Sequence, residues 1–116
     1  MAAGIYNMII EQGATHTRSF TYTDDAGTAV NLSGYSARMM ARAAYQSSAT
    51  LFSVSTATSG LTIPTPANGT IVLTLTDAQT AALPCDGVYD LEIVSPSGVV
   101  TRLLQGLVTL SGEVTR

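Results

Sequence analysis

Hydrophobic and polar positions alternate with a period of two along most of this chain, the spacing that sends successive side chains to opposite faces of a β-strand. The clearest case spans residues 87–106. Tyr89, Leu91 and Ile93 alternate with Asp90 and Glu92, Ser95-Pro96-Ser97-Gly98 supplies turn chemistry, and a second apolar stretch follows. Proline presets φ, and glycine accepts the left-handed conformation that closes a three-residue loop. The prediction is a hairpin in which Ser95 faces Val99. Leu91 then lies opposite Leu103 on an inner face, and Glu92 opposite Arg102 on an outer one. Opposite charges across the pair favour this register over a one-residue slip, which would turn every core residue to water.

The same reading extends to both sides. Residues 5–10 form a short β-branched run ended by Glu11-Gln12-Gly13, a first strand. In residues 14–23, Thr15, Thr17, Ser19, Thr21 and Thr23 share one face, and His16, Arg18, Phe20 and Tyr22 the other. The hydroxyl face suits water or a polar partner, and Phe20 and Tyr22 suit a core. Asp24-Asp25-Ala26-Gly27 is a turn, and 28–32 a short connecting strand. Residues 35–45 have helical propensity in their Ala, Met and Arg content. Their period is two, with Tyr35, Ala37, Met39, Ala41, Ala43 and Tyr45 on one face, and the period decides for strand. Residues 50–55 return as its hairpin partner with Phe52 and Val54 inward.

Leu61-Thr62-Ile63 is a further short strand, ended by Pro64-Thr65-Pro66. Asn68-Gly69 turns the chain into 70–75, where Ile71, Leu73 and Leu75 share a face. Thr76-Asp77-Ala78-Gln79 fits a capping box, with Thr76 as N-cap and Gln79 three residues on, opening a two-turn helix at about 76–83 that Pro84 stops. Residues 107–110 extend or re-enter the sheet, and 111–116 is a polar tail. About eight short strands at such spacing predict an all-β fold, an immunoglobulin-like antiparallel β-sandwich, as one domain over 1–116 with extended termini at 1–4 and 111–116.

Composition sharpens this picture. Only 11% of the 116 residues are charged, against about 25% in ordinary globular domains. Serine and threonine make up about a quarter of the chain, lysine is absent, and all five basic residues are arginine. Lysine and glutamate usually guard exposed sheet edges. Their scarcity means either that partners cover the edges and faces or that a biased genome composition removed lysine. A net charge of −3 argues against nucleic acid, which needs clustered cations. No apolar run reaches the length of a membrane span. The N-terminal Met-Ala-Ala-Gly-Ile has no basic, apolar leader pattern. The expectation is a soluble chain made in the cytoplasm, with no membrane and no nucleic-acid partner.

The residues that catalysis needs are scarce. His16 is the sole histidine and Cys85 the sole cysteine, so neither a metal site nor a Cys–His pair has recognisable spacing. Asp24 and Asp25 read as turn residues rather than calcium ligands. Asp90 and Glu92 read as an outer strand face paired to Arg102 rather than a catalytic pair. Asn31-Leu32-Ser33 and Asn68-Gly69-Thr70 match the glycosylation triplet by chance. The expectation is no enzyme, no catalytic residue, no metal and no cofactor. Interaction has better candidates. Arg38, Met40 and Arg42 project from one side of a strand, and Arg and Met are enriched in interface cores. The two ends add Ile5, Tyr6, Val114 and Arg116.

The chain resembles the small β-sandwich virion proteins of tailed bacteriophages, of the baseplate upper-protein N-terminal, tail-fibre or neck adaptor type. Several stretches carry the likeness: Gln12-Gly13-Ala14-Thr15 leading into Phe20-Thr21-Tyr22, Asn31-Leu32-Ser33-Gly34-Tyr35-Ser36-Ala37-Arg38-Met39, residues 69–80, Gly87-Val88-Tyr89-Asp90-Leu91-Glu92, and 98–106 before Glu113-Val114-Thr115-Arg116. The resemblance implies a non-enzymatic adaptor of the tail, baseplate or head–tail junction. Such a protein anchors fibres or braces a ring, and is present in several symmetric copies against tail, portal, neck or fibre subunits of the virion. A capsid decoration (cement) protein is the alternative within that setting. A glycan-binding adhesin is the alternative outside it, and the shortage of aromatic and acidic cleft residues counts against it.

Overall fold

A computed structural model describes residues 4–24 and 26–112. Two sheets enclose one hydrophobic core. The larger contains β1 (Gly4–Ile5), β2 (Met8–Glu11), β4 (Ser36–Arg42), β5 (Phe52–Ser55), β8 (Gly87–Val94) and β9 (Val100–Ser111). Its order is β1-β9-β8-β4-β5, with β2 continuing the line of β1 along β9. The smaller sheet has the order β3-β7-β6, from β3 (His16–Thr21), β6 (Leu61–Thr62) and β7 (Thr70–Leu75). In the immunoglobulin-type sandwich the B, E and D strands share one sheet and C, F and G the other. Here β3, β7 and β6 occupy the first set, β4, β8 and β9 the second, and β5 the additional C′ position. The fold is all-β, as the period-two pattern predicts.

Alternation does the packing. Ala37, Met39 and Ala41 of β4, Tyr89, Leu91 and Ile93 of β8, and Ile71, Leu73 and Leu75 of β7 all point into the core. Phe52 and Val54 join them from β5, as expected for the returning arm of the hairpin. The helical propensity of 35–45 therefore yields to the pattern, because three buried side chains at spacing two outweigh a few tenths of a kcal/mol per residue. The inward face ends at Ala41, however. Ala43 and Tyr45 lie in the following loop, and Tyr45 is exposed.

Several expectations need correction. The first strand is two, β1 and β2, and both run parallel to β9, so the sandwich is not wholly antiparallel and has nine strands. Residues 28–32 form no strand; a single bridge, Thr23 to Ala29, made by Val30 N–H to the Tyr22 carbonyl and Asp24 N–H to the Thr28 carbonyl, and a bond from Leu32 N–H to the Pro66 carbonyl hold them. Helix α1 (Asp77–Ala81) is one turn shorter than the pattern suggests, although the reciprocal capping box of Thr76 and Gln79 forms as read. Strand β9 continues through Ser111, and Gly4 belongs to β1, so these two residues of the predicted extended termini lie in strands. Residues 1–3 and 113–116 of those termini lie outside the described residues.

The register of the β8–β9 hairpin changes half-way along. Glu92 does sit opposite Arg102, and Ser95 N–H bonds the Val99 carbonyl at 2.9 Å. Between Glu92 and Leu91 the ladder shifts by one residue, so Leu91 faces Leu104, not Leu103. A bulge at Leu103 lets two consecutive leucines pack against the core from one strand. It also resets the phase, placing Gly106 and Val108 on the inner face where an unbroken alternation would put Gln105 and Leu107. The sequence contains this signal as the pair Leu103-Leu104, which no strict alternation accommodates.

Gly106 lies opposite Tyr89, and the first strand breaks over it at Tyr6-Asn7. A Cβ at Gly106 would collide with the Tyr6 carbonyl. That carbonyl accepts a hydrogen bond from the Tyr89 hydroxyl. Asn7 Oδ1 takes over one ladder position by accepting from Leu107 N–H at 3.1 Å. Burial, with a smaller contribution from Tyr6, raises the Tyr89 phenol from 10.0 to about 12.

Two outcomes follow from this junction. Gly106→Ala, which forces the Tyr6 backbone away, is expected to lower unfolding free energy by about 1–3 kcal/mol in urea titrations, while Gly112→Ala, where a Cβ meets only Gln12 Oε1 at an ordinary 3.9 Å, is neutral. Because the folded state keeps the Tyr89 proton longer than the unfolded chain does, stability is intact below pH 10.0 and falls as pH rises toward about 12. Tyr89→Phe costs about 1 kcal/mol at neutral pH through the lost bond and removes this alkaline loss.

Candidate protein interface

The outer faces of the two sheets differ in chemistry. On the smaller sheet Thr17, Ser19 and Thr21 of β3, Thr62 of β6, and Thr70 and Thr74 of β7 project outward around Val72, by the alternation of their buried neighbours. This hydroxyl surface is at ease in water. On the larger sheet the outward residues are Arg38, Met40 and Arg42 of β4, Val88, Asp90, Glu92 and Val94 of β8, and Val100, Arg102, Gln105 and Leu107 of β9. Ile5 and Ile9 extend the same face, because they pair with Gln105 and Thr109. Ile5 is 76% exposed, Ile9 64% and Leu107 52%. Apart from Val99 at the hairpin turn, the exposed large apolar side chains among the described residues lie on this face, or at its rim in the case of Tyr45.

Its charges are already matched. Arg38 Nε donates to Glu92 Oε1 at 2.9 Å. Arg102 lies 3.6 Å from Asp90 and donates to Gln105 Oε1 at 3.4 Å. Sequence alternation correctly sets Glu92 opposite Arg102, but the ion pairs cross over: Glu92 goes to Arg38 and Asp90 to Arg102. Arg42 turns aside to donate to the Ser47 and Ser48 carbonyls at 3.0 and 2.7 Å, tying down the 43–51 loop, and contacts Met40 Sδ at 3.7 Å. A face whose cations are all satisfied within the chain is poorly suited to capture a free anion. It suits a protein surface that covers apolar area without leaving charges unpaired.

Asp90 is the exception to electrostatic comfort. Partial burial and the neighbouring Glu92 raise its carboxyl above the ordinary 3.8, against the opposing pull of Arg102, Arg38 and Arg42. It lines a shallow depression of about 260 Å³ with Met40, Arg42, Tyr45 and Arg102. Sequence reasoning named Arg38, Met40 and Arg42 as candidates, and the structure places them together on this depressed face. It missed Ile9, Leu107 and Tyr45, since the first two acquire their outward direction only through the parallel pairing and the bulge.

The other candidates separate. Ile5 belongs to this face, but Tyr6 turns to the opposite side, where its ring meets Phe20 edge-on at 5.8 Å. Val114 and Arg116 lie outside the described residues, as does Asp25. His16 is buried opposite Leu75, with Nε2 lacking a hydrogen-bond partner among the described residues. Burial, then Arg18, push its pKa below 6.5, with Glu11 pulling the other way. Cys85 is an exposed free thiol. Among the described residues no group of three His, Cys, Asp or Glu is placed to hold a metal. Asp24 accepts from the N–H groups of Ala26 and Thr28, which makes it a turn residue as read, and Asn31 accepts from Ser33 N–H, a turn contact in a segment expected to be strand. Comparison with known proteins finds no family model and no curated relative that matches the chain.

NMR titration of the Asp90 carboxyl is expected to give a midpoint above 3.8. Glu92→Gln moves it down by removing a repelling charge, and Arg102→Gln moves it up by removing an attracting one.

Proposed function

We propose that the chain is a non-enzymatic structural protein of a tailed-phage virion, an adaptor of the tail, baseplate or head–tail junction that braces a ring of subunits or anchors fibres. The observation carrying this reading is the gathering of Ile5, Ile9, Met40, Val100 and Leu107 on one outer sheet face whose arginines are internally satisfied. Scattered exposed apolar residues need no explanation, but a face that collects them indicates contact with another protein. The resemblance to phage sandwich proteins supplies the setting. The absence of lysine and the low charge agree with a surface that spends its life covered. Repetition by symmetry lets modest individual contacts add up, so a small face of this kind suffices in a ring.

Quantifying the protein against the major capsid protein in purified virions tests the reading. An adaptor is present at about a dozen copies or fewer, as the rings of a tail or neck require. Hundreds of copies would make it a capsid decoration protein, and absence from virions would overturn the structural role altogether. The double variant Ile9→Asp, Leu107→Asp is expected to fold, since both side chains point outward, yet to be lost from particles.

A further inference from the structure

The geometry points to a second binding site, at the free edge of β3, that accepts an extended peptide strand carrying a carboxylate between apolar residues. This site is separate from the outer face of the larger sheet and does not depend on the virion assignment. In a constant-type immunoglobulin sandwich strand A lies in the sheet with B. Here β1 and β2 both pair with β9 instead, so among the described residues nothing pairs with the outer edge of β3. Tyr22 N–H donates to the Gly69 carbonyl, and in an antiparallel ladder that fixes the alternation. The even residues from His16 to Tyr22 direct their backbone groups at β7 and its approach. Thr17, Ser19 and Thr21 direct theirs at the open edge.

Beside that edge the two sheets part into a cleft of about 420 Å³, lined by Tyr6, Arg18, Phe20, Tyr22, Leu103 and Leu104. The bulge at Leu103 and the inward turn of Tyr6 build its floor and wall. An added strand therefore meets two things at once. Its backbone completes the row of N–H and C=O groups left by three consecutive odd positions. Every second side chain enters an apolar cleft. Arg18 selects the partner. It stands 5.7 Å from the centre of the Tyr6 ring and, unlike Arg38, Arg42 and Arg102, has no carboxylate or carbonyl partner among the described residues. A cation pointing inward on an edge strand repels strands that bring it no counter-charge, which guards the edge against chance pairing. The same cation rewards a strand with a carboxylate at the matching position. A second copy of β3 is a poor occupant, because it would bring another arginine and no acid to the seam.

The probe is the peptide acetyl-Thr-Val-Thr-Glu-Thr-Leu-Thr-amide, added to the full chain labelled with nitrogen-15. Binding is expected to move the amide signals of Thr17, Ser19 and Thr21 and slow their hydrogen exchange. Arg18→Glu is expected to weaken binding roughly tenfold, as loss and reversal of one charge pair does. Replacing the peptide's glutamate by arginine restores binding to that variant and abolishes it for the wild type. The charge swap keeps the test decisive even if one variant is destabilised. The proposal is overturned if these three amides do not respond, or if the changes fall on the outer face of the larger sheet. It is equally overturned if both peptides bind alike, or if the chain pairs with itself along β3 without peptide.

Discussion

The bond from the Tyr89 hydroxyl to the Tyr6 carbonyl, made over the bare Cα of Gly106, is the contact on which the arrangement of the sandwich turns. It joins the start of the chain to the F-like strand across the G-like one. To make it, the Tyr6 carbonyl leaves the ladder while its N–H keeps its bond to the Gln105 carbonyl, and the Asn7 side chain accepts from Leu107 N–H instead. The break carries the Tyr6 ring toward Phe20 and leaves Ile5 and Ile9 facing outward. One local junction thus shapes both surfaces of interest. Without the phenol the Tyr6 carbonyl would lose its partner, at a cost of about 1 kcal/mol, and a side chain at Gly106 would exclude the junction sterically.

The remaining architecture distributes apolar area unevenly. The smaller sheet shows water a field of threonine and serine hydroxyls. The larger sheet shows it isoleucine, leucine, valine and methionine among ion pairs that neutralise one another. Exposed pairs such as Arg38 with Glu92 contribute little to stability. Their effect is to let this face approach another protein without stranding a charge, so that the apolar residues around them decide the contact. Arg18, near the Tyr6 ring and without an ion pair among the described residues, has the opposite character.

Strand identity was legible residue by residue wherever one face is buried. Ile71, Leu73 and Leu75 of β7 and Ala37, Met39 and Ala41 of β4 are placed correctly by period alone, because a half-buried strand has only one way to hide alternate side chains. Thr76 and Gln79 were legible for a different reason: a capping box satisfies the first N–H groups of a helix using residues three apart, with no help from the rest of the fold. Leu103 was misassigned because a bulge is settled by what packs beneath two adjacent leucines, not by the strand's own pattern. The 28–32 segment was misread as a strand since its composition permits extension but the fold offers it a single bridge to the end of β3 and one bond from Leu32 N–H to the Pro66 carbonyl.

By itself, then, the chain determined its all-β class, most of its inward-facing residues, the turn at Ser95 to Gly98 and the pairing of Glu92 against Arg102. These are short-range facts, written in period, turn chemistry and charge between neighbours in one hairpin. Tertiary structure decided the parallel docking of β1 and β2 on β9, the phase of β9 beyond the bulge, the exchange of ion-pair partners, and the open seam beside β3. Each depends on residues more than eighty positions apart, as Tyr6 and Tyr89 are, or on a third strand competing for the same side chain, as Arg38 does for Glu92. No local pattern encodes such a choice, because it is made by whichever distant surface can fill the space and satisfy the polar groups.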